Sequence, residues 1–140
     1  MKTYETFAHE LDRLLNGEQA VRINVPGYMP LSIEAIGRSA DGGTLVALSH
    51  TTVQNGDLMR DPEIVFEIHE AHSVRAADPL SFRNDFTGTH QEVYRYDEQG
   101  RRTHIVPRLK KELRSFARMW FRNLHEQGFF GSDAERDVLA

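Results

Sequence analysis

Between residues 20 and 106, short runs of alternating apolar residues are separated by turn-forming residues. This pattern constrains the fold more than any other feature, because alternation with a period of two places apolar side chains on one face of a strand. Asp41-Gly42-Gly43 separates the runs 31–36 and 44–49 and predicts a β-hairpin. The other runs that predict strands are 20–25, 63–69, 73–77, 91–96 and the short 105–106.

Two segments with helical periodicity flank these runs. Apolar residues recur every three or four positions from Tyr4 to Leu15 and again within 108–127, and a glycine follows each segment. The order predicts an α+β domain, with an antiparallel sheet of about four to six strands and an N-terminal and a C-terminal helix packed on it.

The length and composition favour a single cytoplasmic domain. A chain of 140 residues fits one domain spanning 1–140, with 132–140 as a polar tail that frays. No apolar run approaches the roughly 18–20 residues that a membrane helix needs, and the first residues lack the apolar core of a secretory signal. The absence of cysteine excludes disulfides and thiolate chemistry and suits a reducing compartment.

Charge is distributed unevenly, although the formal net charge is only −4. From Arg101 to Arg122 there are eight basic residues and one acidic residue, so this segment carries +7 and the remainder −11. Such a helical face predicts binding to nucleic acid or to an acidic partner. The candidate nucleic-acid-binding residues are Lys110, Lys111, Arg114, Arg118 and Arg122. The alternative is that acidic residues of the sheet pair with these cations, since domain-wide basicity is missing.

A central block, from Asn55 to Glu63 and from Pro79 to Tyr94, is dense in turn-formers, carboxylates and amides. Arginine, amides and aromatic residues close together are typical of protein interfaces, and they are equally typical of internal polar networks. Both interpretations remain open. The candidate interface residues are Asp57, Arg60, Asp61, Arg83, Asn84, Asp85, Gln91 and Glu92.

Signals for catalysis are weak. Asp57, Asp61 and Asp85 together are consistent with a metal-dependent hydrolase, but aspartates beside glycine and proline more often cap turns. Seven histidines occur, His69 and His72 among them, without the His-Glu-x-x-His zinc pattern. No phosphate-binding glycine loop or nucleophile elbow is present. The sequence therefore predicts no catalytic residue, no metal site and no cofactor, and favours a protein that is not an enzyme.

The central block also carries a family resemblance. The run from Gly56 to Glu63 followed by Phe66, then Asp85-Phe86 with Gly88, and Gln127-Gly128-Phe129, resemble a small domain-of-unknown-function family encoded on bacterial plasmids, phages and other mobile elements. The resemblance covers roughly residues 28–129 and implies no established activity.

That resemblance leads to a functional hypothesis. The expected function is a non-catalytic binder from a mobile element, plausibly an inhibitor of a host defence complex in the manner of anti-CRISPR proteins, that docks on a protein or ribonucleoprotein. The acidic part of the chain, outside residues 101–122, would bind the basic nucleic-acid channel of such a target by electrostatic complementarity. The alternatives are a nucleic-acid-binding accessory factor that uses the basic helix and a metal-dependent hydrolase. No membrane association is expected, and the sequence leaves the oligomeric state undetermined.

Overall fold

A computed structural model describes residues 2–139 as a large sheet with two helices on one of its faces and a small two-stranded sheet beside it. Thr3–Leu15 and Pro107–Gln127 are the helices, and nine strands lie between and after them. The elements in chain order are α1 (Thr3–Leu15), β1 (Ala20–Asn24), β2 (Leu31–Arg38), β3 (Thr44–Gln54), β4 (Asp57–Ala71), β5 (Val74–Asn84), β6 (Thr89–Glu92), β7 (Tyr94–Tyr96), β8 (Arg102–Ile105), α2 (Pro107–Gln127) and β9 (Glu135–Val138).

The main sheet has seven antiparallel strands in the order β6-β5-β4-β3-β2-β1-β9, and β7 and β8 form a separate two-stranded sheet. The α+β class and the antiparallel sheet are confirmed, but the sheet is larger than the predicted size of about four to six strands. The two edge strands, β6 and β9, have only four residues each, which makes them hard to detect from a short pattern.

Aromatic side chains join the helices to the sheet. Phe7 of α1, Phe66 of β4 and Phe121 of α2 are buried, with ring centroids between 5.5 and 5.9 Å apart. Alternation along β4 gives Ile64 and Ile68 the same orientation as Phe66 and places Val65 and Glu67 on the opposite face of the sheet. The helix termini agree with the sequence signals, because Pro107 begins α2 and Gly128 ends it with a φ of 94°.

The central block forms strands rather than loops. Asn55 and Gly56 both have positive φ, 53° and 84°, and make the two-residue turn that joins β3 to β4. This turn brings 57–62 into register with β3, so Asp57 and Asp61 lie within a strand and do not cap a turn. The interpretation of these two aspartates as turn caps was wrong, because the Asn-Gly hairpin signal outweighs it.

The end of the chain also differs from the expected fraying tail. Residues 135–138 form β9, which pairs with β1 from Val21↔Val138 to Asn24↔Glu135. The Arg136 guanidinium donates a hydrogen bond to the backbone oxygen of Leu14, which ties this strand to the end of α1. All four residues of β9 are exposed, so this strand has no apolar face and carries no alternation signal. Ala140, the last residue of the predicted tail, lies outside the described residues.

Candidate functional site

Four basic side chains on the outer side of α2 form what we call the basic stripe: Lys111, Arg114, Arg118 and Arg122. Spacings of three and four residues put successive side chains on one helical face, roughly 5–6 Å apart at Cβ. Lys111, Arg118 and Arg122 are exposed and Arg114 is half-buried. Among the described residues 2–139, none of the four lies within 4.0 Å of a carboxylate oxygen.

Most arginines outside the stripe differ, although Arg22, Arg38, Arg95 and Arg136 also have no carboxylate within 4.0 Å among residues 2–139. Those with a carboxylate within salt-bridge distance are Arg13, Arg60, Arg75, Arg83, Arg101, Arg102 and Arg108. The expectation that acidic residues of the sheet would pair with the helix cations therefore does not describe the basic stripe. Its charges are directed to solvent, as a surface for an anionic partner requires.

Lys110, also predicted for the nucleic-acid-binding face, turns away from the basic stripe. Its ammonium donates to the Tyr94 hydroxyl at 3.3 Å and lies 5.7 Å from the centre of the Tyr4 ring. Burial alone would lower the pKa of Lys110, but the Tyr94 bond and the charge of Asp78 outweigh it, and the pKa is raised. Lys110 is thus a charged contact between α2 and the β7–β8 hairpin.

A groove of about 470 Å³ runs between α1 and α2, beside the basic stripe. Its lining combines the buried aromatic rings of Phe7 and Phe121 with the guanidinium groups of Arg118 and Arg122. Glu10, on the α1 side, accepts a hydrogen bond from the His125 ring at 2.9 Å. Two residues of the stripe therefore border both an open surface and a partly apolar groove.

The central polar block is in large part a network that joins β4 to β5. Asp85 accepts hydrogen bonds from the Arg60 backbone N–H at 2.8 Å and from Arg83 Nε at 2.7 Å. Asn84 donates to the Asp61 carboxylate at 2.7 Å. Burial alone would raise the pKa of Asp85, but the Arg60 and Arg83 bonds outweigh it, and the pKa lies below its usual value. These contacts support the internal-network interpretation for five of the eight predicted interface residues.

The other three predicted interface residues stand apart from this network. Asp57 is exposed near the start of β4, and Gln91 and Glu92 are exposed on the edge strand β6. The only ionic contact of Glu92 within residues 2–139 is with the His90 ring, at 3.8 Å. Five of the eight predicted interface residues therefore belong to one polar network, and these three lie outside its hydrogen bonds.

A second polar cluster, which the sequence analysis missed, lies where β4 and β5 pair. We call Glu67, His69, Asp78 and Arg102 the Glu67 cluster. Glu67 and Asp78 are register partners, and His69 follows two positions after Glu67 on the same face of the strand. The sequence signal for this cluster was the spacing Glu67-x-His69 inside a strand. The sequence analysis considered His69 together with His72 instead, but His72 lies in the turn that follows β4.

Glu67 is almost fully buried, with 3% of its surface exposed. Its Oε1 accepts a hydrogen bond from Arg102 at 2.7 Å, while Oε2 has no hydrogen-bond partner among the described residues. Gly43 leaves the room for this side chain, since a Cβ there would lie 2.8 Å from Glu67 Cγ. An unpaired buried acceptor costs about 1–3 kcal/mol, so the free oxygen calls for an explanation.

Arg102 reaches Glu67 from the β7–β8 hairpin and is held on three sides. Its guanidinium carbon lies 4.0 Å from the centre of the Tyr94 ring, and its Nε lies 3.8 Å from Asp41. Burial would lower the pKa of Arg102, but the Glu67 charge outweighs it and raises the pKa. This one residue thus connects the small sheet, the β2–β3 turn and the centre of the main sheet.

The fold and these surfaces define a small α+β domain with a basic helix on one face of a single large sheet. The chain belongs to the family described as Domain of unknown function (DUF6908), whose model matches residues 2–130. The resemblance to a domain-of-unknown-function family is thereby confirmed, while an origin on plasmids or phages stays a prediction. Strand β9 lies outside the matched residues. No curated protein and no solved structure matches the chain. Within residues 2–139, neither helix is long and apolar enough to cross a membrane.

Proposed function

We propose that this protein is a non-catalytic binding protein that holds the phosphate backbone of a nucleic acid against the basic stripe of α2. The observation that carries the proposal is the absence of carboxylate partners for Lys111, Arg114, Arg118 and Arg122 within residues 2–139. Unpaired surface cations in a row repel one another, and a polyanion relieves that repulsion while releasing its own counterions.

The dimensions suit a nucleic-acid backbone. Residues 111 and 122 are eleven positions apart, which corresponds to roughly 16 Å along the helix axis. Duplex DNA carries one charge per about 1.7 Å of axis, so four side chains along that length each have phosphates within reach. The net −11 of the rest of the chain opposes random association and orients the molecule with α2 towards a polyanion.

Salt dependence gives a quantitative test. If all four residues of the basic stripe contact phosphates, a plot of the logarithm of the binding constant for duplex DNA against the logarithm of the salt concentration should have a slope of about −3.6. A fluorescence anisotropy titration with labelled duplex DNA, duplex RNA and single strands, beginning at about 50 mM salt, measures this slope. Absence of binding to all three probes at the lowest salt would refute the proposal.

Two charge-matched variants locate the binding surface. The first removes the basic stripe with the substitutions K111Q, R114Q, R118Q and R122Q. The control removes four exposed cations elsewhere with K2Q, R38Q, R95Q and R101Q. Both variants change the net charge equally, so a general charge effect weakens binding equally in both. We expect the first variant to lose binding and the second to keep the slope of the unmodified protein.

The second candidate function is docking on a protein or ribonucleoprotein of a host defence system, with inhibition as its outcome. It is supported by exposed Gln91 and Glu92 on the edge strand β6, beside exposed Arg83. The test is cleavage of target DNA by a purified guide-RNA-loaded effector with increasing amounts of this protein. Inhibition that R83A/Q91A/E92A abolishes would support docking, and unimpaired cleavage at large excess would count against it.

The metal-dependent hydrolase hypothesis built on Asp57, Asp61 and Asp85 receives no support from the contacts of these side chains. Both oxygens of Asp85 accept hydrogen bonds from the protein, and Asp61 Oδ1 accepts one from Asn84.

A further inference from the structure

We infer that Glu67, His69 and Asp78 form a binding site for a divalent transition-metal ion. One donor atom from each residue lies within 4.8 Å of the other two, and no other such group of His, Asp or Glu occurs within residues 2–139. The inference goes beyond the proposed function and does not depend on it.

The unpartnered Glu67 oxygen is the independent observation that points to a ligand. Oε1 is occupied by Arg102, but Oε2 is buried and has no donor among the described residues. Buried carboxylate oxygens are normally paired or bound to a metal. A cation bound by Oε2, His69 and Asp78 supplies the missing partner without disturbing the Arg102 bond.

The backbone holds the three ligands on rigid elements. Glu67 and Asp78 face each other across β4 and β5, and His69 is two residues further along β4. His69 Nε2 lies 2.9 Å from Asp78 Oδ2, whereas two ligands of one tetrahedral zinc ion are separated by about 3.3 Å. A small side-chain movement therefore admits the metal. The neutral His69 ring binds it through Nε2 and keeps its one proton on Nδ1, so the change needed in the ring is one of tautomer.

The donor set indicates the kind of ion. An imidazole with two carboxylates suits zinc, manganese or iron, while calcium and magnesium prefer oxygen ligands only. The His69 side chain is 44% exposed, so an ion can enter from solvent and keep water as a further ligand. Two cations border the site, and each has another partner: Arg102 binds Oε1, and Lys110 binds the Tyr94 hydroxyl.

Zinc titration of the chelator-treated full chain, in competition with a chromophoric chelator, tests the inference. We expect one site per chain. Loss of an outer-shell residue commonly weakens metal binding 10–100-fold, so H69Q and D78N, which each remove a ligand, should weaken it at least about 100-fold. Both side chains lie outside the main hydrophobic core, so the variants should fold, and circular dichroism checks this.

The matched control is H90Q, because His90 is another exposed imidazole beside a carboxylate, 3.8 Å from Glu92. It should bind zinc as the unmodified chain does. An NMR titration adds a second readout, in which the His69 ring signals shift with one equivalent of zinc. Equal zinc binding by H69Q and the unmodified chain, or equal losses in H69Q and H90Q, would overturn the assignment.

Discussion

Replacing Arg102 with glutamine removes the only hydrogen-bond donor that residues 2–139 offer to the Glu67 carboxylate, which is 3% exposed. At the observed 2.7 Å, the pair attracts with about 6 kcal/mol at an effective dielectric constant of 20, much of it offset by desolvation. Removing one partner of a buried pair costs about 3–5 kcal/mol. Because the Arg102 side chain is 30% exposed and water can enter the space it leaves, we expect R102Q to lower the free energy of unfolding by about 3 kcal/mol.

The neighbouring residue provides a matched control. Arg101 makes a salt bridge with Asp97 at 3.0 Å, but its side chain is 74% exposed. Exposed pairs contribute about 0.2–1 kcal/mol, so R101Q should lower the free energy of unfolding by less than about 1 kcal/mol. Equal losses in R101Q and R102Q would refute the argument from burial.

A double-mutant cycle separates the ion pair from the contact of Arg102 with the Tyr94 ring. E67Q keeps an acceptor for the partly exposed arginine and should cost about 1 kcal/mol. The loss of unfolding free energy in the E67Q/R102Q double variant should be about 2 kcal/mol smaller than the sum of the two single losses. Urea unfolding at neutral pH with a chelator present measures all four proteins, and additive losses would show that the charges are not coupled.

Three further predictions follow from other contacts. Burial lowers the pKa of His50 from 6.5, so the unfolded chain binds the proton more readily than the folded chain. The free energy of unfolding should therefore fall as the pH drops below about 6.5, and H50Q should flatten that part of its pH dependence. G43A should cost about 1–3 kcal/mol in chemical unfolding, because the added Cβ would lie 2.8 Å from Glu67 Cγ. G42S should cost about 1–2 kcal/mol for a different reason, the strain of a side chain at a φ of 85°, and should leave the contact of Arg102 with Glu67 unchanged. D85A should destabilise by about 2–3 kcal/mol at neutral pH through the loss of two charge-assisted bonds. Because the pKa of Asp85 is depressed below 3.8 in the folded chain, this contribution is complete above about pH 3.8 and is lost as the pH falls from there through the depressed pKa, so the deficit of D85A should shrink in acid. A pH-independent deficit in D85A would contradict this account.

Local patterns predicted the elements whose residues interact with near neighbours. Both helices were predicted from apolar spacing, and the Asp41-Gly42-Gly43 turn was predicted from its glycines, because these signals act within a few residues. The start of β4 was missed, although the Asn55-Gly56 pair predicts a hairpin there. The reason is that the carboxylates of Asp57 and Asp61 were interpreted as turn caps. Strand β9 carries no local signal, because its stability comes from pairing with β1, more than a hundred residues earlier.

The candidate sites were likewise predicted only in part from the sequence. The basic stripe was predicted from the sequence, because helical periodicity alone places Lys111, Arg114, Arg118 and Arg122 on one face. Only the folded chain shows that these cations lack carboxylate partners among residues 2–139 and that Lys110 turns inward to Tyr94. Likewise, the network of Asp85 with Arg60 depends on the register between β4 and β5.

By itself, the sequence determined the α+β class, the helix boundaries and the separation of charge, since these follow from periodicity and composition. Tertiary structure alone decided which charges are paired and which are free. Glu67 and Arg102 are 35 residues apart, and their contact exists only because the β7–β8 hairpin brings the arginine to a carboxylate in the central sheet. Whether a charge is neutralised depends on distance in space and on burial, and neither can be read from spacing along a chain.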